Sequence, residues 1–354
     1  MPFDPPTHRT SSELRARRDP AVAAWLFVLC GMLLVMVTLG GATRLTGSGL
    51  SIMEWAPLMG TLPPFSEAEW RRLYALYQKI PQYTLVNQGF GLEGFKDIFW
   101  LEWTHRLWGR LIGVALVLPL LAFAWQGRIP RRLGLRLLGL LALGAVQGLV
   151  GWVMVASGFE PDRTAVSPYR LVLHLALAVG LYAALLWTAL GVLRGPAPHR
   201  PARLLACTAA AVALTMLAGG FVAGLKAGLT YNSFPLMDGQ LVPAGYAALH
   251  PWLLNLFENV AAVQFDHRLL ATATVLVAGL AVAVGMRGAT GGLRAALLAL
   301  GAAVIAQYGL GVVTLLHAVP VPLGAAHQAL AMLVLTATLV ALHLQRRPAP
   351  DPVR

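Results

Sequence analysis

The chain has 354 residues, 57% hydrophobic and 12% charged, with a formal net charge of +12 and a mean hydropathy of +0.67. Soluble domains carry about 25% charged residues, so the composition excludes a soluble globular fold and predicts an all-α polytopic membrane protein. The two cysteines, Cys30 and Cys207, lie in apolar stretches, excluding a disulfide scaffold or a clustered zinc site; both read as buried small hydrophobes.

Residues 1–21 mix arginines with Asp4, Glu13 and four prolines and contain no apolar h-region. They read as a short cytoplasmic tail rather than a cleaved signal. Windows near the ~20 residues that cross hydrocarbon follow at roughly 22–43, 105–125, 137–156, 171–193, 204–224, 268–286, 296–316 and 325–344. Eight spans put both termini on one side. With the N-terminus inside, the inner segments hold 16 basic residues against four acidic ones, and the outer segments balance at 11 and 11. That is the positive-inside pattern. The basicity therefore reports topology, and no nucleic-acid partner is expected.

Between spans one and two runs a large outer loop, 44–103, containing Trp55, Trp70, Tyr74, Tyr77, Tyr83, Phe90, Phe95, Phe99 and Trp100. Ser66-Glu-Ala-Glu69 has a capping-box pattern and predicts a short helix there. The loop reads either as an aromatic anchor at the interface or as a lid over a site at the outer end of the bundle.

Further along, the pattern repeats. Gly40-Gly41 through Arg44 to Gly49-Leu50-Ser51 and then Pro57-Leu58-Met59-Gly60 returns as Gly219-Gly220 through Lys226 to Gly228-Leu229-Thr230 and Pro235-Leu236-Met237. Gln147-Gly-Leu-Val-Gly151 returns as Gln307-Tyr-Gly-Leu-Gly311. Repeats of this length point to two tandem four-helix bundles, related by a pseudo-two-fold axis along the membrane normal. The expected divisions are a tail at 1–21, a first half at 22–200, a second half at 201–345 and a cytoplasmic tail at 346–354. Gly144, Gly148 and Gly151 at one-turn spacing suggest close helix approach.

Glu102-Trp-Thr-His105-Arg106 and Gln264-Phe-Asp-His267-Arg268 are the same design written twice. Each is followed by a helix with a histidine near its start, His174 or His327. Imidazoles in a bilayer are costly without a partner and usually mark function. Two equivalent pairs near the outer helix ends suggest two hemes, each held axially between two helices. Zinc or copper fits less well, because neither pair has an obvious third or fourth ligand. Arg106, Arg110 and Arg268 suit heme propionates through bidentate pairing, with snorkelling anchors as the alternative; Arg44 and Lys226 are weaker candidates. His250 and His317 lack repeat partners and read as polar surface. His8, His199 and His343 read as cytoplasmic.

The halves differ three residues before the first histidine. Glu102 shares a helix face with His105, whereas Gln264 cannot ionise. A carboxylate can move protons or stabilise a developing cation. The reacting group is therefore expected in the first half and a redox cofactor in the second; the bland alternative is that Glu102 only pairs with Arg106.

Val86-Asn-Gln-Gly-Phe, Glu93-Gly-Phe-Lys-Asp-Ile-Phe-Trp-Leu-Glu102-Trp-Thr-His105-Arg-Leu-Trp-Gly-Arg110, Arg44-Leu-Thr-Gly-Ser-Gly-Leu-Ser and Tyr231-Asn-Ser-Phe-Pro-Leu-Met resemble the heme A synthase family over roughly 22–344. The resemblance implies an oxidoreductase that converts the C8 methyl of heme O to a formyl group by successive hydroxylations, giving heme A for cytochrome oxidase. It implies that His105 and His174 flank heme O, with Glu102 as the catalytic acid residue. His267 and His327 would ligate heme b. The chain has no loop cysteines and so is similar to the bacterial and mitochondrial-type branch without that pair. It also has no flavin, nicotinamide or iron–sulfur motif, which implies a separate electron donor. Heme O synthase, cytochrome oxidase assembly factors, membrane lipid and further copies of the chain are the candidate partners, and the bacterial inner membrane the expected location. The competing readings are a non-catalytic diheme b electron carrier and a heme transporter or chaperone.

Overall fold

In the computed structural model, which describes residues 19–56, 59–161, 163–195 and 202–345, eight helices are long and apolar enough to cross a membrane. They are α1 (Pro20–Leu45), α4 (Leu92–Trp125), α5 (Arg131–Ala156), α6 (Pro168–Arg194), α7 (Arg203–Gly224), α8 (Val260–Met286), α9 (Gly291–Leu316) and α10 (Val321–Leu344). Two short helices, α2 (Glu67–Tyr77) and α3 (Pro81–Leu85), belong to the first large loop. No named strand occurs among the described residues; Met237 and Gln240 form an isolated bridge. The tails, with Arg9, Arg15, Arg17, Arg18, Arg346, Arg347, Arg354 and His8, lie outside the described residues, as do Pro57-Leu58 and the linker with His199 and Arg200.

Local chemistry sets the helix ends. Asp19 caps α1 by accepting from the backbone of Ala21 and Val22, which satisfies donors that a helix start leaves open. It also pairs with Arg128 at 2.5 Å, tying the α4–α5 turn to the start of α1. The Arg128 guanidinium beside Asp19 holds that carboxyl below its usual range. Ser66 accepts from Glu69 N–H at the start of α2, as the capping pattern predicts.

Two helices begin much earlier than their apolar windows. α4 starts at Leu92 rather than near 105, and α8 at Val260 rather than near 268. Hydropathy breaks at Glu93, Lys96, Asp97 and Glu102, or at Gln264, Asp266 and Arg268, but the helix runs on through them. At about 1.5 Å per residue the 34 residues of α4 span about 51 Å, well beyond a ~30 Å hydrocarbon core. The loop-end part of α4 is therefore a mast above the bundle. Phe95, Ile98 and Phe99 on it pack with Leu73, Tyr77 and Ile80 of the first loop into a second core.

The main core runs along α1, α6 and α10. The most apolar windows of α1 and α6 are each 44% buried, those of α4 and α5 only 6%. In the first half α4 and α6 sit diagonally, both against α1, with α5 against α6; α8 and α10 sit diagonally around α7 and α9 in the second. Polar side chains stitch the halves together: Gln328 Nε2 donates to Val37 O at 3.0 Å, and Tyr182 and Thr336 hydroxyls meet at 2.6 Å.

Two smaller expectations are corrected. Cys30 is buried, but Cys207 is exposed on the helix surface, because α7 turns that position away from its neighbours. His343 is 5% exposed and packs edge-on against Trp187 with ring centroids 5.0 Å apart; it belongs to the interior of α10 rather than to a polar tail.

Candidate functional site

Each of the four repeat-matched histidines rests on a glycine of a neighbouring helix. A Cβ placed on Gly40 of α1 would lie 3.0 Å from His105 Cε1, and one on Gly219 of α7 would lie 3.0 Å from His267 Cε1. The second member of each pair repeats the device: a Cβ on Gly151 of α5 would lie 2.8 Å from His174, and one on Gly311 of α9 would lie 2.8 Å from His327. A side chain at Gly151 or Gly311 would force the imidazole to shift, and one at Gly40 or Gly219 would make it give by a few tenths of an ångström.

All four Nδ1 atoms are buried and without a hydrogen-bond partner. Buried polar atoms are nearly always satisfied, so each exception needs an explanation. Four buried imidazoles with unpartnered Nδ1 atoms, arranged as two pairs on diagonal helices, are a donor set that suits axial ligation of porphyrin iron. Gln147 Nε2 donates to the His174 carbonyl at 2.9 Å and lies 3.4 Å from its Nε2. Gln307 does the same for His327, at 3.0 and 3.4 Å. The glutamines were visible in the repeat, but their placement over the histidines was not.

The glycine reading needs one correction. Gly151 is small to seat His174, while a Cβ on Gly144 or Gly148 would meet nothing within 4 Å. Neither mediates close helix approach. The Gly40 and Gly219 cradles could have been suspected from the paired Gly-Gly at matching positions.

His105 stands well inside α4, whereas His174, His267 and His327 lie within about two turns of their helix starts. Three residues before His105, the 2% exposed Glu102 accepts from Ser51 N–H at 2.7 Å, Ser51 Oγ–H at 2.7 Å and Ile52 N–H at 2.9 Å. It also takes a two-pronged ion pair from Arg106, at 2.6 and 3.1 Å. Arg106 continues to the carbonyls of Ile52 at 2.5 Å and Glu54 at 3.1 Å, and Arg110 donates to Ala56 O at 2.9 Å. Three residues one turn apart on α4 thus hold the segment 51–56 as a strap along the mast.

The second half builds the same strap without a carboxylate. Arg268 donates to Tyr231 O at 2.8 Å and Ser233 O at 2.9 Å, and Gln264 donates to Tyr231 O at 3.1 Å. Gln264 Oε1 is buried and unpartnered. The turns leading into the straps match as well: Gly47 and Lys226 both adopt left-handed φ, 70° and 54°, before a 3-10 turn. Lys226 is therefore the counterpart of Gly47, not of Arg44. Arg44 itself donates to Ala223 O at 2.6 Å, at the carbonyl-rich end of α7 where a cation is favoured. It joins the two halves. His317 is exposed beyond α9, and His250 sits in the second loop.

The first loop is locked down by further charge. Arg72 bridges Glu54 at 2.8 Å and Glu69 at 2.8 Å, Trp55 packs on Trp152 with centroids 5.4 Å apart, and Arg106 lies over Trp152 at 5.8 Å. Glu54 is held below its usual range by the Arg72 hydrogen bond.

A family described as "Cytochrome oxidase assembly protein" (COX15-CtaA) matches residues 23–339. The chain is 63% identical over 330 residues to "Heme A synthase" of Granulibacter bethesdensis, covering 92% of this chain and 87% of that one. It is 51% identical over 340 residues to "Heme A synthase" of Methylobacterium radiotolerans, covering 93% and 91%. It is 47% identical over 345 residues to the protein of that name from Rhodopseudomonas palustris, covering 96% and 94%.

Proposed function

The chain belongs to the COX15-CtaA family of cytochrome oxidase assembly proteins, and from that premise we propose that it is a heme A synthase. It is a multi-pass membrane oxidoreductase whose substrate is heme O and whose product is heme A. The reaction takes the C8 methyl to a formyl group by successive hydroxylations, each oxidising that carbon by two electrons at the expense of an external oxidant that also supplies the oxygen atom. The observation that carries the reading is the pair of glycine-seated, unpartnered histidine couples, one of them beside a buried carboxylate.

His105 and His174 of the first half hold heme O between α4 and α6, with Gly40 and Gly151 fixing the imidazole positions. Glu102 is the catalytic carboxylate of this half and acts from its ion pair with Arg106. His267 and His327 would hold heme b in the second half. When bound, heme b supplies a one-electron redox centre, fed by a separate donor. Gln147 and Gln307 fix the orientation of His174 and His327. Arg106, Arg110 and Arg268, already tied to strap carbonyls, line the end of the bundle that meets the acidic edges of the porphyrins.

The two halves, 22–200 and 201–345, are tandem units related by a pseudo-two-fold axis. Both termini lie in the cytoplasm of a bacterial cell and the loop-rich end faces outward. Surrounding lipid, heme O synthase, assembly factors of cytochrome oxidase and further copies of the chain are its partners.

The test is to extract hemes from cells that make heme O, with and without this protein, and separate them chromatographically. Heme A appearing only with the protein supports the reading. Its absence in the presence of a competent reductant overturns it. The equal cradles in the two halves favour one rival, a diheme b carrier, which would yield two heme b per chain and leave heme O unchanged.

A further inference from the structure

The seam between α4 and α5 differs from its counterpart between α8 and α9. A Cβ on Gly113 of α4, or on Gly144 or Gly148 of α5, would meet nothing within 4 Å. In the register set by His105/His267 and Gln147/Gln307, these positions correspond to Val275 on α8 and to Val304 and Tyr308 on α9. There the seam is filled. Val304 is 5% exposed, the Tyr308 hydroxyl lies 3.0 Å from that of Thr272 on α8, and the Tyr308 ring meets Phe234 edge-on at 6.2 Å. Correspondingly, α4 and α5 touch over far less of their length than α8 and α9.

The open seam leads to polar atoms that await a partner. Gln147, between Gly144 and Gly148 on α5, has a buried, unpartnered Oε1, and the Nδ1 atoms of His105 and His174 at the same end are buried and unpartnered too. Heme O differs from heme b in carrying a long isoprenoid chain. A bundle filled to ordinary protein density has no room to coil such a chain, so it must leave between two helices into an apolar medium.

We propose that the α4–α5 seam is the slot through which the isoprenoid chain of the substrate heme leaves the bundle. Gly113, Gly144 and Gly148 set the first half's preference for a prenylated heme, and Val275, Val304 and Tyr308 exclude one from the second half. The proposal rests on the reading of the first half as the substrate site.

The test places the second half's side chains in the seam as Gly144→Val with Gly148→Tyr. Purified wild type and variant, each carrying its resident heme b, are titrated with heme O and followed by difference absorption. The expected result is at least a tenfold loss of heme O affinity and a matching rise in KM, with resident heme b content unchanged. Gly309→Tyr, which also adds bulk in open space but in the second half, leaves heme O affinity unaltered. Unchanged heme O affinity in the folded double variant overturns the proposal. If the double variant loses its resident heme b, the series Gly148→Ala, Gly148→Val and Gly148→Tyr decides. Affinity falling with side-chain volume supports the slot, and a flat series overturns it. Failure of the underlying reading shows separately, as wild-type protein that binds heme O but forms no heme A.

Discussion

In the first half Glu102 gathers two strap N–H groups, a serine hydroxyl and an arginine; in the second Gln264 gives one hydrogen bond to Tyr231 O and leaves its own oxygen unpaired. The straps, turns and histidine cradles are otherwise built alike. A strap of this shape does not need a carboxylate, because Gln264 and Arg268 hold one without it. The buried charge at Glu102 is thus surplus to the architecture, and buried charge is costly unless it serves a purpose. That surplus is the physical reason for placing chemistry in the first half and a resident cofactor in the second.

The largest expected effect comes from the histidines proposed as ligands in the second half. His327→Ala removes one of these imidazoles; on the proposed assignment, purified protein is expected to lose heme b, read as loss of Soret absorbance after detergent extraction. Full heme b retention would remove the half-by-half assignment. Next is Glu102→Gln, which copies the second half's own solution and can donate to Ile52 O as Gln264 does to Tyr231 O. The variant is expected to fold and keep heme b while heme A formation falls ~10²–10⁴-fold, the usual worth of a general acid or base. Activity within twofold of wild type would reduce Glu102 to a strap anchor.

Smaller and more discriminating is the pair Gly151→Ala and Gly311→Ala. Each adds a methyl about 2.8 Å from an imidazole, and overpacking of this kind costs about 1–3 kcal/mol. Gly151→Ala is expected to weaken heme O binding and spare heme b, and Gly311→Ala to do the reverse. Identical heme losses in both variants would mean that the halves are not functionally distinct. The smallest effect is on pH. Arg72 depresses the Glu54 carboxyl below its ordinary 4.5, so their bond contributes above that pH and is lost as the pH falls through the depressed value. Exposed pairs are worth well under ~1 kcal/mol; limited proteolysis of the first loop is expected to quicken only below that window, and Arg72→Ala to abolish the change.

Much of this was legible in the residues. Span number follows from hydropathy, and the four histidines stand out by repetition, because both are properties of spacing along the chain. Helix starts at Leu92 and Val260 were missed because Glu102 and Gln264 read as polar interruptions, whereas their hydrogen bonds to a strap let the helix continue. Arg106 and Arg268 read as propionate partners or snorkelling anchors, and Arg106 also as a partner of Glu102, but their bonds to Ile52, Glu54, Tyr231 and Ser233 carbonyls were invisible without the strap's path. The glycines were visible, but not which ones touch: Gly151 seats His174, while Gly148, one turn away, faces open space. Pattern reveals where small residues recur, and only packing reveals what they make room for.

The most direct test of unequal halves is the heme composition of purified His105→Ala and His267→Ala proteins from cells that make heme O. The account predicts that His105→Ala retains one heme b per chain and forms no heme A, while His267→Ala lacks heme b. Equal loss of one heme b per chain from each variant would contradict it.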